Sequence, residues 1–145
     1  MSNWFRAALA AAILCQTTAA QASVDTRTLA GAWEFRAVFE QIGCTITGGA
    51  TITRTSTENI YDVALNAVQT CDGVTEAPVG QSCVARRVND RVSIRCRIVQ
   101  IDPGREYLPD DFELTVSDSG LMIGQLTANW YAPAVWRRRD TAPVS

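Results

Sequence analysis

The chain has 145 residues, 47% of them hydrophobic, with 15 carboxylates against 13 basic residues and a formal net charge of −2. Every basic residue is arginine and there is no histidine, which excludes Ser-His-Asp and Cys-His catalysis and zinc sites built on imidazole. The mildly acidic balance argues against a nucleic-acid partner, and the length suits one domain with a single core.

The N-terminus reads MSNWFRAALAAAILCQTTAAQA: one arginine, an apolar run from Ala7 to Cys15, then Ala20-Gln21-Ala22. This is the pattern of a secretory leader ending in an A-x-A cleavage site, so residues 1–22 are expected to be removed and the protein to be periplasmic or secreted. The residues Ala12-Ile13-Leu14 ahead of Cys15 lack the small side chains of a lipid-anchoring site. No segment approaches the roughly 20 apolar residues of a transmembrane helix. Residues 23–28 form a short tail ahead of a domain at 29–139, and 140–145 a C-terminal tail.

From Leu29 onward the dominant period is two. In 30–40 Trp33, Phe35, Ala37 and Phe39 alternate with Glu34, Arg36 and Glu40. Segment 44–55 follows, with Cys44, Ile46, Ala50 and Ile52 on one face. After a polar turn, 60–71 puts Tyr61, Val63, Leu65, Ala67 and Cys71 inward. If Cys44 faces Cys71, the same antiparallel register pairs Ala50 with Leu65 and Ile52 with Val63, so the apolar faces coincide.

The next hairpin, 82–88 and 91–101, turns at Asn89-Asp90. A two-residue turn there sets Cys83 directly opposite Cys96 in a non-hydrogen-bonded pair, the class whose closer Cα spacing suits a disulfide. Four cysteines in an exported domain of this size point to two disulfides, Cys44–Cys71 and Cys83–Cys96. Metal ligation by the same cysteines has no CxxC pair behind it, and no metal or cofactor is expected.

Segments 111–117, 121–130 and 134–139 complete the count, with Phe112, Leu114, Met122, Leu126 and Trp130 expected inward. Pro and Gly mark two longer loops, 72–81 and 102–110. Eight antiparallel strands in an up-and-down meander close most simply as a barrel, which removes exposed edges; a flattened sandwich is the alternative. The expected fold is therefore all-β.

The stretch Leu29-Ala30-Gly31-Ala32-Trp33 resembles the G-x-W opening of calycin barrels, the group containing lipocalins and avidins. The resemblance implies an arginine from the last strand (Arg137, Arg138 or Arg139) laid across Trp33, with Gly31 beside it, as a structural closure of the barrel. Among such barrels the bacterial secreted-metalloprotease inhibitors are the nearest comparison, sharing a cysteine at the start of the second strand. They act through the free mature N-terminus, which here would begin at Ser23.

Three groups of residues are candidates for a site. Tyr61, Phe112, Met122 and Trp130 could line an apolar pocket, although an eight-stranded barrel is just wide enough to be filled by its own side chains. Arg86, Arg91, Arg95 and Arg97 could form an anion-binding patch, or a solvated outer face. Asp102, Glu106, Asp110, Asp111 and Glu113 are the only plausible acid–base or calcium-binding cluster. The expected function is a non-enzymatic binding or interaction protein taking a small apolar ligand or a protein partner. Protease inhibition through the N-terminus and a purely structural envelope role are the alternatives.

Overall fold

The structure, a computed structural model, describes residues 28–118 and 120–139. The leader, residues 23–27 of the tail and residues 140–145 lie outside the described residues. Among the described residues nine strands form: β1 (Gly31–Phe39), β2 (Cys44–Arg54), β3 (Ile60–Cys71), β4 (Val74–Thr75), β5 (Val79–Val88), β6 (Arg91–Gln100), β7 (Phe112–Asp118), β8 (Leu121–Thr127) and β9 (Tyr131–Arg138). All pairings are antiparallel, in the order β2-β1-β9-β8-β7-β6-β5-β3, and β3 pairs back onto β2. The result is a closed eight-stranded up-and-down barrel, as the meander of the sequence predicts, with β4 appended to β3.

The first difference from the sequence reading lies in 72–81, which composition marks as a loop. Asp72 (φ +50°) and Gly73 (φ +79°) are both left-handed, the conformation that tight hairpin turns favour and that Asp-Gly adopts readily. β4 therefore returns at once, pairing Thr70 with Thr75 and Cys71 with Val74. The Glu76 N–H still donates to the Gln69 carbonyl at 2.9 Å; the ladder lapses at Ala77-Pro78, where proline has no N–H to give, and resumes at Val79 opposite Ala67. β4 and β5 thus act as one interrupted strand.

Both disulfides form in the expected registers. Cys44 faces Cys71 with Ala50 opposite Leu65 and Ile52 opposite Val63. Cys83 faces Cys96 above the Asn89-Asp90 turn. Their Cα separations are 4.1 and 4.0 Å, the short distance of a directly opposed non-hydrogen-bonded pair. Cys44 and Cys83 are buried in the core, and Cys71 and Cys96 pack against it.

The barrel interior is filled at mid-height. Phe35 stacks on Trp136 with centroids 5.0 Å apart, Phe112 meets Trp136 edge-on at 5.0 Å, and Phe35 meets Phe112 at 5.3 Å. Gly48 makes room for this plug: a Cβ there would lie 2.6 Å from the Phe35 ring and 2.0 Å from the Asn66 carbonyl oxygen. Above and below the rings the core continues through Ile52, Val63, Leu65, Ile94, Met122 and Leu126.

One end of the barrel is sealed. Trp33 is buried there and donates its indole N–H to the Leu29 carbonyl at 2.8 Å. The Arg138 guanidinium lies 4.5 Å from the Trp33 ring centroid and donates to the carbonyls of Ala30 (2.7 Å) and Thr28 (2.6 Å). Gly31, at φ +137°, passes so close that a Cβ would sit 2.7 Å from an Arg138 nitrogen. The opposite end carries the Cys44–Cys71 disulfide and the long 101–111 connection, and it holds the candidate site.

Candidate functional site

Five segments meet at the unsealed end. The β1–β2 connection is a single 3-10 turn, Glu40–Ile42, ended by left-handed Gly43 (φ +62°). It sets Phe39 and Cys44 side by side with Ile42 at the rim. β3 and β6 contribute Gln69 and Ile98, and the β6–β7 connection contributes Ile101 and Tyr107–Asp110. The β8–β9 bend contributes Ala128–Trp130. Together they enclose an open cavity of about 800 Å³, lined mainly by apolar side chains. Ile42, Leu108 and Trp130 stand on its rim, 46, 50 and 62% exposed.

The 101–111 segment has no strand of its own, so side chains hold it in place. Gln81 of β5 clamps Asp110 at two points: its Nε2 donates to Oδ2 at 2.5 Å and its Oε1 accepts the Asp110 backbone N–H at 2.9 Å. The Tyr107 hydroxyl donates to the same Oδ2 at 2.9 Å. Arg105 reaches the β4–β5 interruption, donating to Glu76 at 2.6 Å and to the Ala77 carbonyl at 2.5 Å. Asp110 and Gln81 are the two buried polar residues among those described, each within 2% of full burial.

Burial raises the Asp110 pKa from 3.8 to about 6, the hydrogen bonds from Gln81 and Tyr107 oppose the rise, and the neighbouring Asp111 charge adds to it. Burial together with the Asp110 charge pushes the Tyr107 phenol far above its ordinary range. The pair therefore works as a fixed donor and acceptor around neutral pH.

The four residues read as a pocket from the sequence are dispersed. Phe112 belongs to the aromatic plug, Met122 is fully buried in the core, and Tyr61 lies at the sealed end beside Thr28 and Arg54. Trp130 alone lines the mouth cavity, although not as expected: β8 ends at Thr127, and a bend over residues 128–130 breaks the alternation that would have turned Trp130 inward. The ring that does fill the interior is Trp136. β9 begins at Tyr131, ahead of the expected 134, and its inward parity runs Ala132, Ala134, Trp136 to Arg138.

That parity separates the terminal arginines. Arg138 closes the barrel, whereas Arg137 points outward opposite Glu34. With Arg36 and Arg139 it borders an outer groove of about 1050 Å³ floored by Gly48 and Gly49. Arg139 approaches Glu34 at 3.9 Å across this groove.

Arg86, Arg91, Arg95 and Arg97 are all exposed on the outer face of the β5–β6 hairpin. Arg95 ion-pairs with Glu113, which lowers the Glu113 pKa. The five acidic residues do not converge: Asp110 is clamped inside, Asp111 Oδ1 accepts the Cys96 N–H at 2.8 Å, Glu113 engages Ser93 and Arg95, and Asp102 and Glu106 are exposed. Among the described residues no group of three or more His, Cys, Asp or Glu is placed to hold a metal ion, and no helix is long and apolar enough to cross a membrane.

No protein-family model matches the chain, and no curated protein matches it.

Proposed function

We propose that this chain is an exported, non-enzymatic binding protein of the periplasm that takes a small apolar ligand at the barrel mouth. The observation that carries the reading is the mouth cavity. Its walls are Phe39, Ile46, Ile98 and Ile101, its rim is three exposed apolar side chains, and buried polar groups fix its covering segment. Pockets of a few hundred to a thousand Å³ with apolar walls and few placed polar groups are the usual form of small-molecule sites. Two disulfides in so small a barrel fit an oxidising compartment, and the leader-like N-terminus supports export.

The test is titration with N-phenyl-1-naphthylamine, an apolar dye that brightens when it leaves water. The expected result is saturable binding that Trp130→Ala weakens severalfold without changing the urea midpoint. Absence of saturable binding, or binding indifferent to Trp130, overturns the reading.

A second reading, protease inhibition through the mature N-terminus, draws support from the sealed end. Arg138 holds the Thr28 carbonyl, so the chain preceding Thr28 starts from a fixed point on the barrel. Residues fused ahead of Ser23 would abolish such inhibition and leave dye binding intact. Inhibition that survives the fusion removes this reading.

A further inference from the structure

Asp110 carries a hydrogen-bonding capacity that an apolar ligand would leave unused. Both of its side-chain hydrogen bonds, from Gln81 and from Tyr107, go to Oδ2. Oδ1 accepts from no donor among the described residues. Nor is that oxygen sealed in protein, because the single enclosed side-chain polar atom left unpartnered among the described residues is Trp136 Nε1. Oδ1 is therefore not wholly enclosed, although Asp110 as a residue is only 1% exposed, and the cavity that Asp110 lines is the mouth. The two-point clamp from Gln81 prevents the carboxyl group from turning away toward bulk water.

The other charged side chains lining the cavity are Arg105 and Glu106. Arg105 is engaged with Glu76 and the Ala77 carbonyl, so its charge is already matched. Glu106 is exposed. Gln69 turns its amide to the Cys71 sulfur at 3.2 Å. The cavity thus offers an acceptor oxygen and negative charge to a ligand, and its one guanidinium is occupied elsewhere. A ligand anion would meet two carboxylates; a ligand ammonium would meet a fixed, poorly hydrated acceptor, the setting in which charge-assisted hydrogen bonds are strongest.

Resting on the mouth as the binding site, we propose that its ligand is a cationic amphiphile, with an ammonium head that donates to Asp110 Oδ1 and an apolar body that lies against Phe39, Ile46, Ile98 and Trp130. Selectivity comes from Asp110 and bulk affinity from the apolar walls.

The experiment uses three probes with one chain length and three head charges: dodecylamine, dodecanol and dodecanoate. Each displaces N-phenyl-1-naphthylamine from the full mature chain at pH 7.5, below micelle-forming concentrations. Dodecylamine is expected to displace the dye at about tenfold or more lower concentration than dodecanol, the worth of one charged hydrogen bond, with dodecanoate weakest. Asp110→Asn is expected to bring the amine and the alcohol together, each potency being taken relative to the variant's own dye affinity. Equal potency of the three probes against a dye that binds normally overturns the cationic-head assignment and leaves the mouth site standing. An amine preference that persists in Asp110→Asn overturns the role of Asp110. A dye that does not bind at all removes the mouth site and this inference with it. The probe series on the unmodified protein decides the head preference even if the variant fails to fold.

Discussion

Arg137, Arg138 and Arg139 are consecutive, and a single position among them separates a structural residue from a surface one. Arg138 lies on the inward parity of β9, where its planar guanidinium can cover Trp33 and reach two carbonyls at once; Arg137 has the opposite parity and faces Glu34. A lysine keeps the charge but not the flat, forked donor set. Arg138→Lys should therefore lower stability by about 1.5–3 kcal/mol, the range for hydrogen bonds to a charged group, while Arg137→Lys should stay within about 0.5 kcal/mol. Urea midpoints of the two variants measure the contrast.

Asp110 sets a second expectation at this scale. Its folded pKa, about 6, lies above its ordinary value of 3.8, so the native state holds the proton more tightly than the unfolded chain. The sign follows by linkage: its contribution to stability is fully present below about pH 4 and is lost as pH rises through about 6, amounting to about 3 kcal/mol. The groups around it are Tyr107, Arg105 and Glu106 on the same segment, neighbouring Asp111, and neutral Gln81 from β5. Glu113, with a lowered pKa, acts in the opposite sense. The measurement is therefore the difference between the parent protein and Asp110→Asn in urea stability from pH 4 to pH 7.5. The parent should lose stability relative to the variant across that range, and parallel profiles would contradict the buried-carboxylate account.

At the scale of elements, hairpin geometry made the sequence readable. Alternation identified the buried faces of β1, β2, β3, β6 and β7, and the Asn89-Asp90 turn settled a register that no other pairing of cysteines would satisfy. Asp72-Gly73 was equally legible, since Asp-Gly is among the strongest hairpin signals, but Pro78 and Gly80 dominated the composition of the segment and hid the returning strand. Trp136 was recoverable too: an arginine covering Trp33 from Arg138 forces the ring two residues earlier inward. The Trp130 bend was not recoverable, because period-two patterning cannot tell where a strand stops pairing.

The two staples follow from the same geometry and differ in loop length. Replacing Cys83 and Cys96 by serine, which opens a loop of 13 residues' separation, should cost about 3 kcal/mol. The Cys44 and Cys71 pair spans 27 and should cost a few tenths of a kcal/mol more, because loop-closure entropy grows only logarithmically. Chemical denaturation of each double variant, with the other disulfide intact, orders the pair; a much larger loss for the shorter loop would speak against an entropic origin.

Across the whole molecule the barrel is divided by its aromatic plug. Phe35, Phe112 and Trp136 fill the middle, so the sealed end with Trp33 and Arg138 and the mouth with Asp110 do not share a continuous calyx. Trp136→Ala should destabilise by about 3–5 kcal/mol, the range for deleting a large buried aromatic. If the plug bounds the site, the same change should let the mouth accept longer-chain probes, measured as a shift in the optimum chain length of the displacing series. An unchanged optimum would place the floor of the site elsewhere.

The sequence by itself determined the all-β meander, the inward faces of most strands, both disulfide registers and the absence of imidazole chemistry, because each depends on local periodicity, turn type or composition. Only the tertiary structure decided which terminal arginine covers Trp33, that the interior is plugged, and that Gln81 and Asp110, 29 positions apart, join to hold a segment over the mouth. Those features arise when barrel closure brings distant strands together, and the separation of Gln81 from Asp110 along the chain carries no period that would reveal it.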